Sequence, residues 1–383
     1  MGKKKILIFI DWFLPGYKAG GPVRSMANMV DHLHNEYDFY IVTRNCEYLE
    51  TAPYPNVISN EWNCFKEGVK VWYASLDKLS GSNWSRLIHE IAPDIIYING
   101  IYSFKFSLLP LLVAKRTNRA QIIVAPRGML ASSAIQVKSI KKRFFLMLVK
   151  TFRLFRNVNF HVTNAKEGEE ARKELNANGR VFIAANLARK HKSEYVSIEK
   201  PINSLKLISL ARIAPEKNTL FALECLNLIT NQELGIQFDL YGGIYNDAYW
   251  KLCQDVIAEL PLNIKVEYKS SIPPELIGET LAQYHALFLP SRGENFGHVI
   301  VESFMEARPV LISDQTPWLG LKNKGVGWDL PLEKPELFAR TIEELTQMDQ
   351  IKYNELCERA HKLAEEISCD DEVFEGYREM LGS

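Results

Sequence analysis

The chain has 383 residues, 47% hydrophobic and 24% charged, with 21 Gly and 17 Pro; these globular proportions exclude a fibrous, collagen-like or largely disordered protein, and at ~150 residues per domain they make two domains or three. The formal net charge is zero, yet residues 1–200 carry 30 basic and 17 acidic side chains, a net +13, while residues 201–383 carry 16 and 29, a net −13. Such a split fits either a polyanion or anionic surface on the first half or two oppositely charged domains attracting each other.

The N-terminus, MGKKKILIFIDWF, starts basic, but its apolar run breaks at Asp11 without a small-residue cleavage site. It reads as a buried strand over Ile6 to Ile10 rather than a secretory signal. The loop that follows places Gly20-Gly21 before Pro22 at the start of a helical pattern. Two glycines let backbone and a helix N-terminus approach a ligand, although the same residues make an ordinary turn. No G-x-G-x-x-G follows this strand and there is no G-x-x-x-x-G-K-[ST], so a nicotinamide-dependent dehydrogenase and a phosphate-loop enzyme are disfavoured. Further strands are expected at DFYIVT, VKVWYA, DIIYI, QIIVA and VNFHVT, separated by helices such as GPVRSMANMVDHLHNEY.

Between Asp94 and Glu167 there is no carboxylate side chain, while thirteen Lys and Arg fall there. In that stretch Lys138, Lys141, Lys142, Arg143, Lys150, Arg153 and Arg156 are interleaved with Phe144, Phe145, Leu148, Phe152 and Phe155. At ~100° per residue the Phe and Leu positions gather on one side with cations flanking them. This is the pattern of an interfacial helix docking on an anionic membrane from Lys138 to Arg156, or of a core-packed helix with a solvated basic edge. Glu167 and Glu170 read as the acidic first turn of an ordinary helix.

A charged stretch ends at Lys200-Pro201, and strands resume at LKLISL, IQFDLYG, IKVEYK, HALFLP and RPVLIS, again alternating with helices. Short apolar runs between helices make parallel sheets covered on both faces. The reading is α/β, with two doubly wound domains over 1–200 and 201–366, and a C-terminal helix within 367–383 that packs back on the first domain. Ligands of such sheets bind beyond the carboxyl ends of the strands, so a site is expected in the cleft between the domains.

Two segments of the second half carry chemistry. In LARIAPEKN a strand ends at Arg212 and a helix is expected after Pro215. Arg212 and, one turn onward, Lys217 can converge on a diphosphate, whereas Pro215 and Glu216 are ordinary helix-start residues. In SRGENFGHVIVESFMEARPVLISD, Ser291 to Asp314, Glu294 sits in a Gly-flanked loop and Glu302 on a helix starting at about Gly297. The N–H groups of Gly297, His298 and Val299 form a positive terminus suited to a phosphate. One carboxylate can take sugar hydroxyls and the other a ribose diol. The six cysteines show no C-x-x-C pair or zinc-ligand spacing, and there is no D-x-D, so no disulfide framework, structural metal or bridging metal is indicated and a reducing, cytoplasmic compartment fits. No stretch approaches the ~20 apolar residues of a membrane span.

The Glu294-x7-Glu302 stretch, the RIAPEK segment and the Gly-Gly-Pro-x-Arg loop together resemble the retaining family-4 glycosyltransferases, whose GT-B fold sets two Rossmann-like domains facing a central cleft. The similarity covers nearly the whole chain. APRGMLASSAI (Ala125 to Ile135) and SDQTPW (Ser313 to Trp318) resemble the branch that builds bacterial capsule, lipopolysaccharide or exopolysaccharide. The resemblance implies transfer of a sugar, with retained anomeric configuration, from a nucleotide-sugar to a saccharide or lipid-linked saccharide. No metal is implied, and no cofactor beyond the nucleotide-sugar co-substrate. It implies that Arg212 and Lys217 bind the donor diphosphate, Glu302 the ribose and Glu294 the transferred sugar. Gly297, His298 and Val299 would offer backbone N–H groups, and Gly20 and Gly21 would close on the phosphates from the other domain. Two departures stand out. Many relatives have His before Gly where this chain has Arg127-Gly128, and Arg127 reads as a phosphate or acceptor contact or as part of the basic face. Many also have Gly before the Pro-Val-Leu strand where this chain has Ala307-Arg308-Pro309, a change expected to alter only a turn. Asp11 and Asn99-Gly100 are acceptor-side candidates, and His161 reads as a satisfied core or edge residue. The competing readings are a nucleotide-sugar epimerase of the same fold and a non-catalytic two-domain sugar-binding protein. A cytoplasmic location, peripheral on the inner face of the plasma membrane, is expected, with no nucleic-acid partner.

Overall fold

In the computed structural model, which describes residues 2–117, 120–130, 139–190 and 196–382, the chain forms two α/β units: residues 1–190 with 370–383, and residues 191–369. Among the described residues no helix is long and apolar enough to cross a membrane.

The first unit holds β1 (Lys4–Phe9), β2 (Tyr37–Arg44), β3 (Trp62–Lys66), β4 (Val69–Ala74), β5 (Ile95–Asn99), β6 (Gln121–Ala125), β7 (Asn159–Val162) and β8 (Val181–Ile183), in the order β3-β4-β2-β1-β5-β6-β7-β8. All pairs are parallel except β3 with β4. The two-residue side-chain period sends Ile6, Ile8 and Ile10 into one apolar layer and Leu7 and Phe9 into the other, so β1 is buried on both faces. The strand order reverses between the parallel neighbours β1 and β5, and there Asp11, just past β1, accepts hydrogen bonds from Ser103 Oγ (2.9 Å) and Arg44 (3.2 Å). Burial raises the Asp11 carboxyl above its ordinary pKa, outweighing both donors.

The second unit holds β9 (Ser204–Leu210), β10 (Gly235–Tyr241), β11 (Ile264–Tyr268), β12 (Ala286–Leu289), β13 (Val310–Ser313) and β14 (Gly327–Leu330), all parallel, in the order β11-β10-β9-β12-β13-β14. This is the 3-2-1-4-5-6 order of dinucleotide-binding sheets, with its reversal between β9 and β12. The sequence pattern had no signal for β3, β8 and β14. β8 and β14 are three and four residues long, and β3 is an antiparallel edge strand with no buried residue.

The boundary expected at 200 falls instead near 190. Lys200 is buried, its Nζ donating to the carbonyls of Thr346 (2.9 Å), Pro201 (3.2 Å) and Met348 (3.4 Å), and Gln350 binds the backbone of Ile198 and Lys200, so this segment is stapled to the second unit. The chain returns to the first unit at 370. There the helix Asp371–Gly382 buries Tyr377, Met380 and Leu381, and Lys4 Nζ donates to the Gly382 carbonyl (2.7 Å). Two calls fall partly outside the described residues: positions 131–135 of APRGMLASSAI, and Lys138 of the basic segment.

Ala307-Arg308-Pro309 does more than alter a turn. Ala307 takes the left-handed conformation that a glycine would favour (φ 56°), and Arg308 is fully buried, donating to the carbonyls of Ala282 (2.9 Å) and Val196 (3.3 Å). A guanidinium therefore ties the start of β13 to two other segments of the unit.

Each unit also buries a neutral histidine. His285 Nδ1 accepts the Lys206 N–H (2.8 Å) while Nε2 donates to the Glu199 carbonyl (2.9 Å), and burial lowers its pKa to about 4. His161 Nε2 donates to the Ala184 carbonyl (3.0 Å) and Nδ1 accepts from Tyr97 Oη (2.6 Å), with burial lowering its pKa to about 3. Above pH ~6.5 both are neutral folded or unfolded and pH has no leverage. Below it the unfolded chain binds protons that the folded chain refuses, so stability falls with pH towards the folded values, by ~1.4 kcal/mol per pH unit for each histidine. Urea unfolding between pH 7.5 and 5 should show this slope, and His285→Gln should flatten it by about one proton. An unchanged slope would contradict the assignment.

Candidate active site

The carboxyl ends of β9 and β12, neighbours at the reversal of the second sheet, bring two distant segments together. After β9 the chain makes a turn in which Lys217 N–H bonds the Ala214 carbonyl (3.0 Å). Asn218 is left-handed (φ 61°) and the helix opens only at Thr219. Glu216 and Lys217 thus lie in a turn before the helix, not in its first turn as expected. After β12, Ser291 Oγ donates to the Glu216 carbonyl (3.1 Å), Arg292 N–H to the same carbonyl (3.0 Å) and Arg292 Nε to Asn218 Oδ1 (3.1 Å). These bonds clamp the two loops side by side.

The clamp sets Lys217 Nζ 2.6 Å from Glu294 Oε1, with the two side chains only 20% and 11% exposed. Arg212, at the end of β9, pairs with Glu216 (3.2 Å) and is open to solvent. Two of the four charged candidates therefore form one ion pair, and a third stands on the same loop.

Gly297 immediately precedes the helix His298–Met305. Its φ of 76° suits glycine, and a Cβ there would come 2.7 Å from Ile300 Cδ1. The cap residue Gly297 has no side chain to cap this helix, and Glu294 lies beside the terminus, its Cγ 3.7 Å from where a Cβ on Gly297 would stand. Glu302 lies on this helix and is buried, as are its neighbours His298 and Val299. Phe296 and Trp318 pack at 5.6 Å, and Trp318 Nε1 donates to the Phe296 carbonyl, fixing the loop before the helix. Gly297→Ala should lower stability by ~1–2 kcal/mol through left-handed strain. That is a fall of ~2–8 °C in Tm for a unit of this size; an unchanged melt would contradict the reading of this turn.

Gly20, Gly21 and Arg127 belong to the first unit. Gly20 takes a backbone conformation reserved for glycine (φ 80°, ψ −137°) before the helix Gly21–Leu33, and space is open around both glycines. Arg127 is tied inwards: its guanidinium donates to Asn99 Oδ1 (2.9 Å), Asn186 Oδ1 and Tyr97 Oη (2.8 Å). Tyr97 in turn holds His161, so Arg127 organises the carboxyl ends of β5 to β7 rather than lying on a basic face. Glu167, expected as a plain first-turn acid, is buried and accepts from Gly128 N–H, Thr163 N–H (2.8 Å) and Thr163 Oγ1 (2.9 Å). It fixes the Arg127-Gly128 turn. Sequence reasoning missed it, together with Ser291, Arg292 and Asn218, because each acts through partners that only the folded sheet brings near. Among the described residues no group of three or more His, Cys, Asp or Glu is placed to hold a metal ion.

Residues 191–366 match the family model described as Glycosyl transferases group 1. No curated protein sequence matches the chain. Solved structures share its GT-B fold end to end: sucrose-phosphate synthase from Thermosynechococcus elongatus (TM-score 0.71, 15% identity, 99% of this chain and 100% of that one), HepE from Anabaena in complex with UDP and glucose (0.68, 17%, 99% and 99%) and a glycosyltransferase from Rickettsia africae (0.67, 12%, 100% and 98%).

Proposed function

We propose that this chain, whose residues 191–366 match the Glycosyl transferases group 1 family model, moves a sugar from a nucleotide-sugar to a saccharide or lipid-linked saccharide, with retained configuration and without a metal, in surface polysaccharide synthesis in the cytoplasm. The observation that carries this reading is the Lys217–Glu294 pair at the sheet reversal, beside Arg212 and the N-terminus of the helix His298–Met305. A diphosphate placed there meets two cations and a row of N–H groups, and a sugar on it meets a carboxylate. HepE, which resembles this chain over 99% of its length, was crystallised in complex with UDP-glucose.

In the proposed step the bond from the sugar's anomeric carbon to the diphosphate oxygen breaks, and a bond from the acceptor oxygen forms on the same face. The acceptor proton passes to the departing phosphate. Arg212, Lys217 and the helix terminus stabilise the charge that develops on that phosphate, which is electrostatic preorganisation rather than nucleophilic catalysis. Arg as a planar fork and Lys as a point charge take the place of a bridging cation.

The test is release of nucleoside diphosphate from nucleotide-sugars in EDTA, with and without saccharide or lipid-linked acceptors, and the anomeric configuration of the product by NMR. Acceptor-dependent release in EDTA with a retained product is expected. Product formed without any acceptor would point to an epimerase, and activity restored only by Mg²⁺ or Mn²⁺ would overturn the metal-independent part.

A further inference from the structure

We infer that the helix Ser139–Thr151 of the first unit, with the turn after it, is a docking surface for an anionic membrane. The inference goes beyond the transfer reaction and does not depend on it. The helix has two apolar faces. One, formed by Leu146 and Val149 with Phe145 and, beyond the helix, Phe155, packs into the core of the unit. The other faces solvent: Ile140 is 83% exposed, Phe144 57%, Met147 54% and Phe152, in the following turn, 68%. At 3.6 residues per turn Ile140, Phe144, Met147 and Leu148 fall within ~100° of arc, opposite the buried face. The core-packed and interfacial readings of this segment are therefore both met, on opposite sides of one helix.

Contiguous exposed aromatic and aliphatic side chains on a folded surface mark an interaction site. Charge says of what kind. Arg143, Arg153 and Arg156 are exposed, and residues 95–166 contain no Asp or Glu. An isologous contact with a second copy would set these cations against one another, and a nucleic acid would meet the charges but leave the apolar stripe in water. An anionic bilayer satisfies both: acyl chains take Phe144, Met147 and Phe152, and phosphates take the arginines. Thirteen residues rise only ~20 Å, short of the ~30 Å hydrocarbon core, so the helix lies in the interface and does not span.

The surface is also held rigid for this use. Arg153 is left-handed (φ 49°), ending the helix, and Lys115 Nζ donates to the carbonyls of Leu154 (2.6 Å) and Arg156 (2.8 Å). Lys150 is drawn to Glu174 (3.3 Å), and Lys142 lies over the Tyr102 ring (5.4 Å), so these two are engaged within the unit. The exposed arginines are left to face a membrane.

The experiment is co-sedimentation of the full chain with vesicles of phosphatidylcholine alone or mixed with phosphatidylglycerol, at ~0.01 M and ~1 M salt, where the screening length falls from ~30 Å to ~3 Å. Binding to the anionic vesicles at low salt, released at high salt and absent from phosphatidylcholine, is expected. Arg143→Ser/Arg153→Ser/Arg156→Ser should weaken it about 100-fold, at about fivefold per arginine. Phe144→Ser/Phe152→Ser should weaken it by roughly tenfold or more per ring. All five side chains are exposed, and a melting curve for each variant checks the fold. If the Phe variant does not fold, the Arg variant still decides. No binding at low salt, equal binding to both vesicle types, binding unchanged in the variants that fold, or a dimer that the Phe variant dissociates in place of vesicle binding would overturn the proposal.

Discussion

Lys217→Ala is expected to lower turnover by about 100- to 1,000-fold, the range measured for removal of one preorganised donor at a developing oxyanion. The ammonium lies 2.6 Å from Glu294 Oε1 on a loop clamped by Ser291 and Arg292, so it is positioned before any donor arrives. Truncation also leaves the nearly buried Glu294 carboxylate without its cation, which turns it against a diphosphate. Lys217→Arg restores charge in a broader shape and should recover only part of the rate, because a fork cannot replace a point charge at the same contact. Diphosphate release measured for the three proteins decides the matter. Activity of Lys217→Ala within about threefold of the unmodified protein would remove Lys217 from the transition state.

Glu302→Ala is expected to weaken nucleoside diphosphate binding by about 10- to 100-fold, the loss of one hydrogen bond to a charged group. Glu294→Ala should leave that affinity almost unchanged and lower transfer, under the proposed assignment of Glu294 to the transferred sugar. The two carboxylates differ in setting: Glu302 lies within a buried helix, Glu294 in the loop before it. Because Glu302 is buried, Glu302→Gln with a melting curve separates lost recognition from lost packing. Calorimetry giving equal affinity for the folded Glu302 variants and the unmodified chain would reverse the assignment.

How much of this was legible in the sequence follows from where each determinant sits. Runs such as KILIFI and LKLISL announce strands because burial on both faces demands unbroken apolar residues, and Gly297 announces a helix start because the turn needs a left-handed residue. The Lys217–Glu294 pair was not legible as a pair. Its members are 77 residues apart, and only the adjacency of β9 and β12 makes them neighbours. The inward turn of Arg127 depends on Tyr97 and Asn99 of β5 and on the distant Asn186, so a basic residue in a basic stretch read as a phosphate or acceptor contact or as part of the basic face. The same holds for Arg308 and Lys200, whose buried charges are held by backbone carbonyls that leave no mark on the sequence.

The most direct test of the central claim is a calorimetric titration of the unmodified chain, in EDTA, with a panel of nucleotide-sugars differing in base and sugar and with the corresponding free sugars. At least one nucleotide-sugar is predicted to bind in the micromolar to millimolar range, its free sugar not at all, and the affinity to fall with Arg212→Ala and Glu302→Ala. Binding of a free sugar as tight as that of its nucleotide-sugar, or no nucleotide-sugar binding at all, would contradict the account.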